Sequence, residues 1–223
     1  MMRDEHTDKH YEKELRNLKE IILKMGGLTE EMITTALKVL TERNSRLMED
    51  LALKEGEVNI LEMQIDEKCL EMLALRQPAA SDLRFISIGL KISKDLERIG
   101  DLAMNIAEQS IELNKEPQLK PYIDLPLMAG KTQKMLKDAL DSFVEKDPAR
   151  AQTVCEIDDE VDDLNQKIVT DLIAIMQKSS DAISRSTRLI ACTKNLERIA
   201  DHATNIAEQV IFMVQGRDIR HGR

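Results

Sequence analysis

The stretch Asp95-Leu-Glu-Arg-Ile-Gly-Asp-Leu-Ala-Met-Asn-Ile-Ala-Glu108 returns one hundred positions later as Asn195-Leu-Glu-Arg-Ile-Ala-Asp-His-Ala-Thr-Asn-Ile-Ala-Glu208. From Leu96 to Gln109 only Gly100, Leu102 and Met104 change, to Ala200, His202 and Thr204. The side chains with chemistry are kept: Glu97 and Glu197, Arg98 and Arg198, Asp101 and Asp201, Asn105 and Asn205, Glu108 and Glu208. On a helix of 3.6 residues per turn, offsets of 0, 4, 8 and 11 fall within roughly 80° of one another. Each copy is therefore a strip of oxygen donors along one helical face. Ile92, Leu96, Ile99, Ala103 and Ile106 point the opposite way, as a core-facing stripe should.

The repeat extends outward from the motif. Met32, Ala36, Leu37 and Asn44 match Met135, Ala139, Leu140 and Asp147 at a displacement of 103, as Val58-Asn59 matches Val161-Asp162. Apolar residues recur at helical spacing almost throughout and predict six long helices, an all-α fold of two tandem, pseudo-symmetric three-helix bundles. The first helix is expected over residues 8–43, softened or kinked at Gly26-Gly27. The second should start from an Asn44 N-cap and stop near Gln77-Pro78, and the third should start from a Ser81 or Asp82 cap and run to Asn114. Pro117, Pro121 and Pro126 mark a linker over residues 115–126. Asp147-Pro148 reads as N-cap and N1 proline for the fifth helix, and Gly216 as the residue that ends the sixth. The domain boundaries that follow are residues 7–115 and 122–216, with a basic tail over 217–223.

Composition narrows the function classes. The chain has 223 residues with 33% charged and 2% aromatic, the profile of long helices rather than of a sheet. A formal net charge of −9 argues against a sequence-independent nucleic-acid binder, which needs basic patches to neutralise phosphates. Cys69, Cys155 and Cys192 are far apart and odd in number, so they are expected as buried thiols in a reducing cytoplasm. The charged start lacks an apolar signal segment, and no apolar run is long enough to span a membrane.

Hairpin geometry then gathers the acids. Counting outward from the turn near Ala79-Ala80, Glu97 and Asp101 come level with residues 59–61, where Asn59, Glu62 and Asp66 share one side. In the second half, Glu197 and Asp201 come level with Asp158, Asp159, Asp162 and Asp163. Two acidic grooves on the bundle surface are expected. Acids at i, i+4 repel one another by about 0.2–0.5 kcal/mol per pair, a cost a bound cation would offset. Oxygen-rich sites with almost no His or Cys suit Mg, Ca, Mn or iron better than a structural zinc. His202 is not a shared ligand, since its counterpart is Leu102. Arg98 and Arg198 are expected to pair with neighbouring acids. Glu-x-x-His, HExxH, GxxxxGK[ST], GxGxxG and nucleophile-elbow motifs are all absent from the sequence, which makes an enzyme the weaker class.

At this point the doubled Glu-x-x-x-Asp-x-x-x-Asn, with Gln77-Pro78-Ala79-Ala80-Ser81-Asp82-Leu83-Arg84 before the first copy and Gly216-Arg217-Asp218-Ile219-Arg220-His221 at the end, resembles the paired signature of the PhoU family of bacterial phosphate-regulon proteins. The resemblance implies a cytoplasmic, often dimeric, non-enzymatic negative regulator of phosphate uptake and signalling. Such a protein links the phosphate ABC transporter to a sensor histidine kinase through their cytoplasmic domains. It also implies multinuclear metal clusters, iron or zinc foremost with Mn or Mg as further candidates, held by Glu97, Asp101, Glu197 and Asp201, with Asn105 and Asn205 next. The hairpin register adds Asn59, Glu62, Asp158 and Asp162 to that set. The competing reading is a metal-dependent enzyme or metal-storage bundle using the same grooves.

Overall fold

In a computed structural model, which describes residues 2–217 and side chains from Lys9 onward, six helices form and there is no strand among the described residues. They are α1 (Met2–Thr41), α2 (Met48–Leu75), α3 (Ala80–Asn114), α4 (Asp124–Glu145), α5 (Pro148–Lys178) and α6 (Ile183–Gln215). Within each half the three helices pack on one another, α1 with α2 and α3, and α4 with α5 and α6. The halves join through α3 against α6, with a smaller contact of α1 on α4. Four helices thus form an inner layer, while α2 and α5 lie on its outer flanks.

Close packing, against α1 and α2 as well as at the α3–α6 seam, accounts for the composition of both helices, with Gly89 and Gly100 facing α1 and α2. Each carries a wide buried face that includes small or hydroxylated residues: Gly89, Ser93, Gly100, Ala103, Ala107 and Ser110 on α3, and Ser186, Thr193, Ala200, Ala203 and Ala207 on α6. Ser110 Oγ donates to the Ile106 carbonyl at 2.6 Å and Thr193 Oγ1 to that of Leu189 at 2.8 Å, whereas the buried Ser186 hydroxyl has no partner among the described residues. A single apolar core runs from Leu18 and Ile22 on α1 through Leu96 and Ile99 to Leu196 and Ile206 on α6. Polar contacts pin the seam: Arg188 Nη1 donates to Gln109 Oε1 at 2.9 Å, and His202 Nδ1 lies 2.8 Å from Asp95 Oδ1.

Several helix boundaries differ from expectation for local reasons. The α1 helix passes through Gly26-Gly27 without interruption. Gly26 is there for proximity, because a Cβ would sit 2.7 Å from Leu140 Cδ1 on α4. Asn44 makes no side-chain cap, and a 3-10 turn, Ser45–Leu47, precedes α2. Neither Ser81 nor Asp82 caps α3. The helix starts at Ala80 after an extended, uncapped Ala79, and Ser81 Oγ turns instead to Asp82 Oδ1 at 3.4 Å. The linker is shorter than predicted, since α4 begins at Asp124 and Pro126 falls in its first turn, where no intrahelical N–H is required. Arg43, itself at φ 55°, secures the end of α3 by donating to the Leu113 and Asn114 carbonyls at 3.3 and 2.9 Å.

Other expectations are met. Asp147 Oδ1 accepts from the backbone N–H of Ala149 and Arg150 at 2.9 and 3.1 Å, with Pro148 in the first helical position. Gly216 ends α6 in the left-handed conformation. Cys69 and Cys192 are buried thiols, whereas Cys155 is only partly covered because it lies at the edge of the second groove. The tail beyond Arg217 lies outside the described residues.

Candidate functional site

Both acidic strips lie where an outer helix meets an inner one, α2 against α3 and α5 against α6. The two grooves differ in how their charge is balanced.

In the first groove, Lys94 supplies the balancing charge. It stands three residues before Glu97, and its ammonium lies 3.0 Å from Glu62 Oε1 and 3.2 Å from Glu97 Oε2, bridging the facing helices. The same contacts hold the Lys94 pKa above its ordinary value, the hydrogen bond to Glu62 contributing most. Arg98 Nη1 donates to Asp101 Oδ2 at 3.1 Å, the i, i+3 pairing expected of it. Asn59 Nδ2 donates to Glu55 Oε1 at 2.9 Å. Asp66, at the groove's far end, is raised above the usual carboxylate range by burial first and then by Glu62. Asn105 and Glu108, the last two members of the strip, stand exposed.

In the second groove the matching lysine does less. Lys194 pairs with Glu197 Oε1, whereas Glu197 Oε2, buried without a hydrogen bond just as Glu97 Oε2 is, has among the described residues no ion pair to match the one that Lys94 gives Glu97 Oε2 at 3.2 Å. The facing residue also changes across the repeat. Displacing Glu62 by 103 gives Asn165, a neutral amide whose Oδ1 is likewise buried and unpartnered. The same displacement turns Glu55 and Asn59 into Asp158 and Asp162, exchanging a hydrogen-bonded acid–amide pair for two acids.

The crowding of acids is visible in the titration of these groups. Burial, then Asp201, then Asp162 push the Asp158 carboxyl up to about 6, with the Thr204 hydroxyl opposing weakly. Asp162 is raised by burial and then by Glu197, and Asp201 by burial and then by Glu197 and Asp162, with Lys194 opposing in both. These couplings place Asp158 beside Asp201 and Asp162 beside Glu197, the register that counting from the turn predicts. Cys155, one turn away, is pushed up to about 11, by burial and then by Glu208 and Asp158. It is thus a protonated thiol at neutral pH. Asn205 and Arg198 are exposed at the outer edge.

Among the described residues, no three His, Cys, Asp or Glu side chains are gathered closely enough to hold a metal ion as they stand. The acids of each expected groove are therefore neighbours along the two helices without converging on one point. Donor chemistry separates the two. The second groove offers hard carboxylate oxygens under mutual repulsion and two buried acceptors without partners, which fits an oxygen-liganded cation. In the first, an ammonium already lies between the acids. His202 pairs with Asp95 across the α3–α6 seam and reaches the second groove only as the smallest of the charges acting on Asp201, which it draws downward.

Lys94 and Lys194 escape a sequence reading because a lysine at i−3 of a glutamate looks like any solvated helical pair. Glu55 and Asn165 were within reach, since the displacement of 103 identifies both.

The sequence matches the family model described as PhoU domain twice, over residues 22–110 and 125–210. A Pseudomonas aeruginosa protein named "Phosphate-specific transport system accessory protein PhoU homolog" is 38% identical over 217 residues, covering 97% of this chain and 90% of that protein. A homolog of the same name from Aquifex aeolicus is 39% identical over 209 residues, 94% of this chain and 95% of its own length. The crystal structure of PhoU from P. aeruginosa superposes with a TM-score of 0.90 at 38% identity, over 93% of this chain and 100% of that one. That of the phosphate transport system regulatory protein PhoU from Streptococcus pneumoniae gives 0.87 at 29% identity, over 93% and 98%.

Proposed function

The chain belongs to the PhoU family, and on that premise we propose that it is an accessory protein of a phosphate transport system and a negative regulator of phosphate uptake and phosphate-regulon signalling. In this reading it is a cytoplasmic homodimer, a metal-binding adaptor between the phosphate ABC transporter and its sensor histidine kinase. The observation that carries the reading is the match over nearly the whole chain to relatives named as accessory and regulatory proteins rather than as enzymes. Among the described residues no helix is long and apolar enough to cross a membrane, so contact with a membrane system runs through partner proteins.

The geometry supports a scaffold. The outer helices α2 and α5 leave long faces open, and the net charge of −9 favours basic docking surfaces over anionic lipid head groups. For the metal, the second groove is the better holder. Asp158 and Asp162 of α5 with Glu197 and Asp201 of α6 would supply the oxygens. A cation bound there would cancel their repulsion and tie an outer helix to an inner one. In the first groove, Glu62 and Glu97 would have to release Lys94 before joining Asn59, Asp101 and Asn105 around an ion.

The test is removal of this chain from its host, followed by phosphate uptake and expression of phosphate-starvation genes in phosphate-rich medium. Uptake and starvation genes should stay on without the chain and switch off when it is restored. Unchanged control in its absence would overturn the regulatory reading.

A further inference from the structure

The α2 helix has two apolar faces. Leu51, Val58, Leu61, Ile65, Cys69 and Met72 enter the core. On the opposite side Leu53, Ile60, Met63 and Leu70 stand 71, 56, 69 and 62% exposed. Their spacing of seven, three and seven residues keeps them within a sector of about 100°, the seam that a coiled-coil partner covers. Exposed apolar residues scattered singly need no explanation, but four in register along one helix form a contiguous patch. The repeat does not require it. A displacement of 103 gives Glu156, Asp163, Gln166 and Ile173 on α5, so the stripe is particular to the first half.

Charge names the partner. The helix carries eight acids, Glu49, Asp50, Glu55, Glu57, Glu62, Asp66, Glu67 and Glu71, against two lysines. Of those lysines, Lys54 is held by Asp50 at 2.6 Å. Helical spacing puts Glu71 and Glu57, with Lys68 beside them, along one edge of the stripe and Asp66 and Glu55 along the other, while Glu62 lies further round, paired with Lys94. Glu67 lies within it. Two copies of this face laid together would oppose acid to acid, whereas a helix edged with lysine and arginine would be matched on both sides. We propose that the outer face of α2 is a docking surface for a basic amphipathic helix of a partner protein, whose apolar stripe covers Leu53, Ile60, Met63 and Leu70. The inference rests on the adaptor reading and assigns the partner to one face of the chain.

The experiment uses a labelled 21-residue helical peptide with Leu at the first and fourth heptad positions and Lys flanking them, and a twin with Glu in place of Lys. Both are titrated into the full chain by fluorescence anisotropy, alongside Ile60→Gln/Met63→Gln and Leu53→Gln/Leu70→Gln. These positions are solvent-exposed, so circular dichroism should show the fold intact. The lysine peptide should bind, each double variant should weaken it about tenfold or more, and the glutamate twin should bind far more weakly. Equal binding by variants and wild type, or by both peptides, would overturn the proposal. So would a sedimentation experiment in which the wild type is dimeric and the variants monomeric, since a second copy would then cover the stripe. So too would binding of the wild type to phosphatidylglycerol vesicles that the variants lose. Failure of the adaptor reading is distinguishable, because it appears as unchanged phosphate control when the whole chain is removed, whatever the peptides do.

Discussion

Replacing Asp158 with Asn should stabilise the metal-stripped protein at neutral pH, although it deletes a residue of the candidate site. The Asp158 carboxyl titrates near 6 in the folded chain, against 3.8 ordinarily, chiefly from burial and then from Asp201 and Asp162. A shift of about two units corresponds to roughly 3 kcal/mol, an upper bound because the groove is open to water on one side. For an acid raised on folding, the cost is fully present above about pH 6 and disappears as pH falls through 6 towards 4, where the folded carboxyl takes up its proton. Urea denaturation in chelator at pH 5, 6, 7 and 8 should therefore show Asp158→Asn more stable than wild type by about 1–3 kcal/mol at pH 7, a rise of several degrees in Tm. The difference should shrink steadily towards pH 5. Asp201→Asn should recover part of the same energy, and the double variant should gain less than the sum, because the two groups titrate together. A variant no more stable than wild type at pH 7, or a difference independent of pH, would refute the claim that the second groove holds uncompensated charge.

Other expectations can be checked with the same denaturation assay. Gly26→Ala crowds the tip of the Leu140 side chain, which must turn aside, so it should come out about 1 kcal/mol less stable than the same change at the next position. Its neighbour Gly27→Ala, which meets nothing within 4 Å, should gain about 0.5–1 kcal/mol from helix propensity. His202→Leu, which installs the residue found at position 102, should cost about 1–3 kcal/mol by leaving the half-buried Asp95 without its partner across the seam. Lys94→Gln should cost less than about 1 kcal/mol, since that ammonium is half exposed, yet it should raise the affinity of the first groove for divalent cations by freeing Glu62 and Glu97.

The doubled motif and the displacement of 103 are enough to read six helices, two equivalent halves, the Asp147 cap, the Gly216 terminus and the register of Glu197 and Asp201 against α5. Those features depend on local spacing, which is written along one chain. The way the halves join was not legible. Cys192 looks like an ordinary small core residue in isolation, and only the folded chain shows its Sγ donating to the Ile106 carbonyl at 3.8 Å across the α3–α6 seam. Caps failed for a related reason. Asn44 has the right chemistry, but a 3-10 turn follows it and its side chain makes no cap, and Ser81 already lies inside α3, which starts one residue before it. The contrast between the grooves lay in plain view as Glu62 against Asn165. It becomes meaningful only once Lys94 is seen to bridge the helices that Lys194 does not.

Metal content per chain, measured by plasma mass spectrometry after purification without affinity tag or chelator, tests the difference between the grooves most directly. Asp158→Asn/Asp201→Asn should lose the tightly held metal, while Glu97→Gln/Asp101→Asn should keep it. Equal loss in both double variants would mean that Lys94 does not close the first groove. A wild type that holds no metal and takes up none of added iron, zinc, manganese or magnesium would contradict the site altogether.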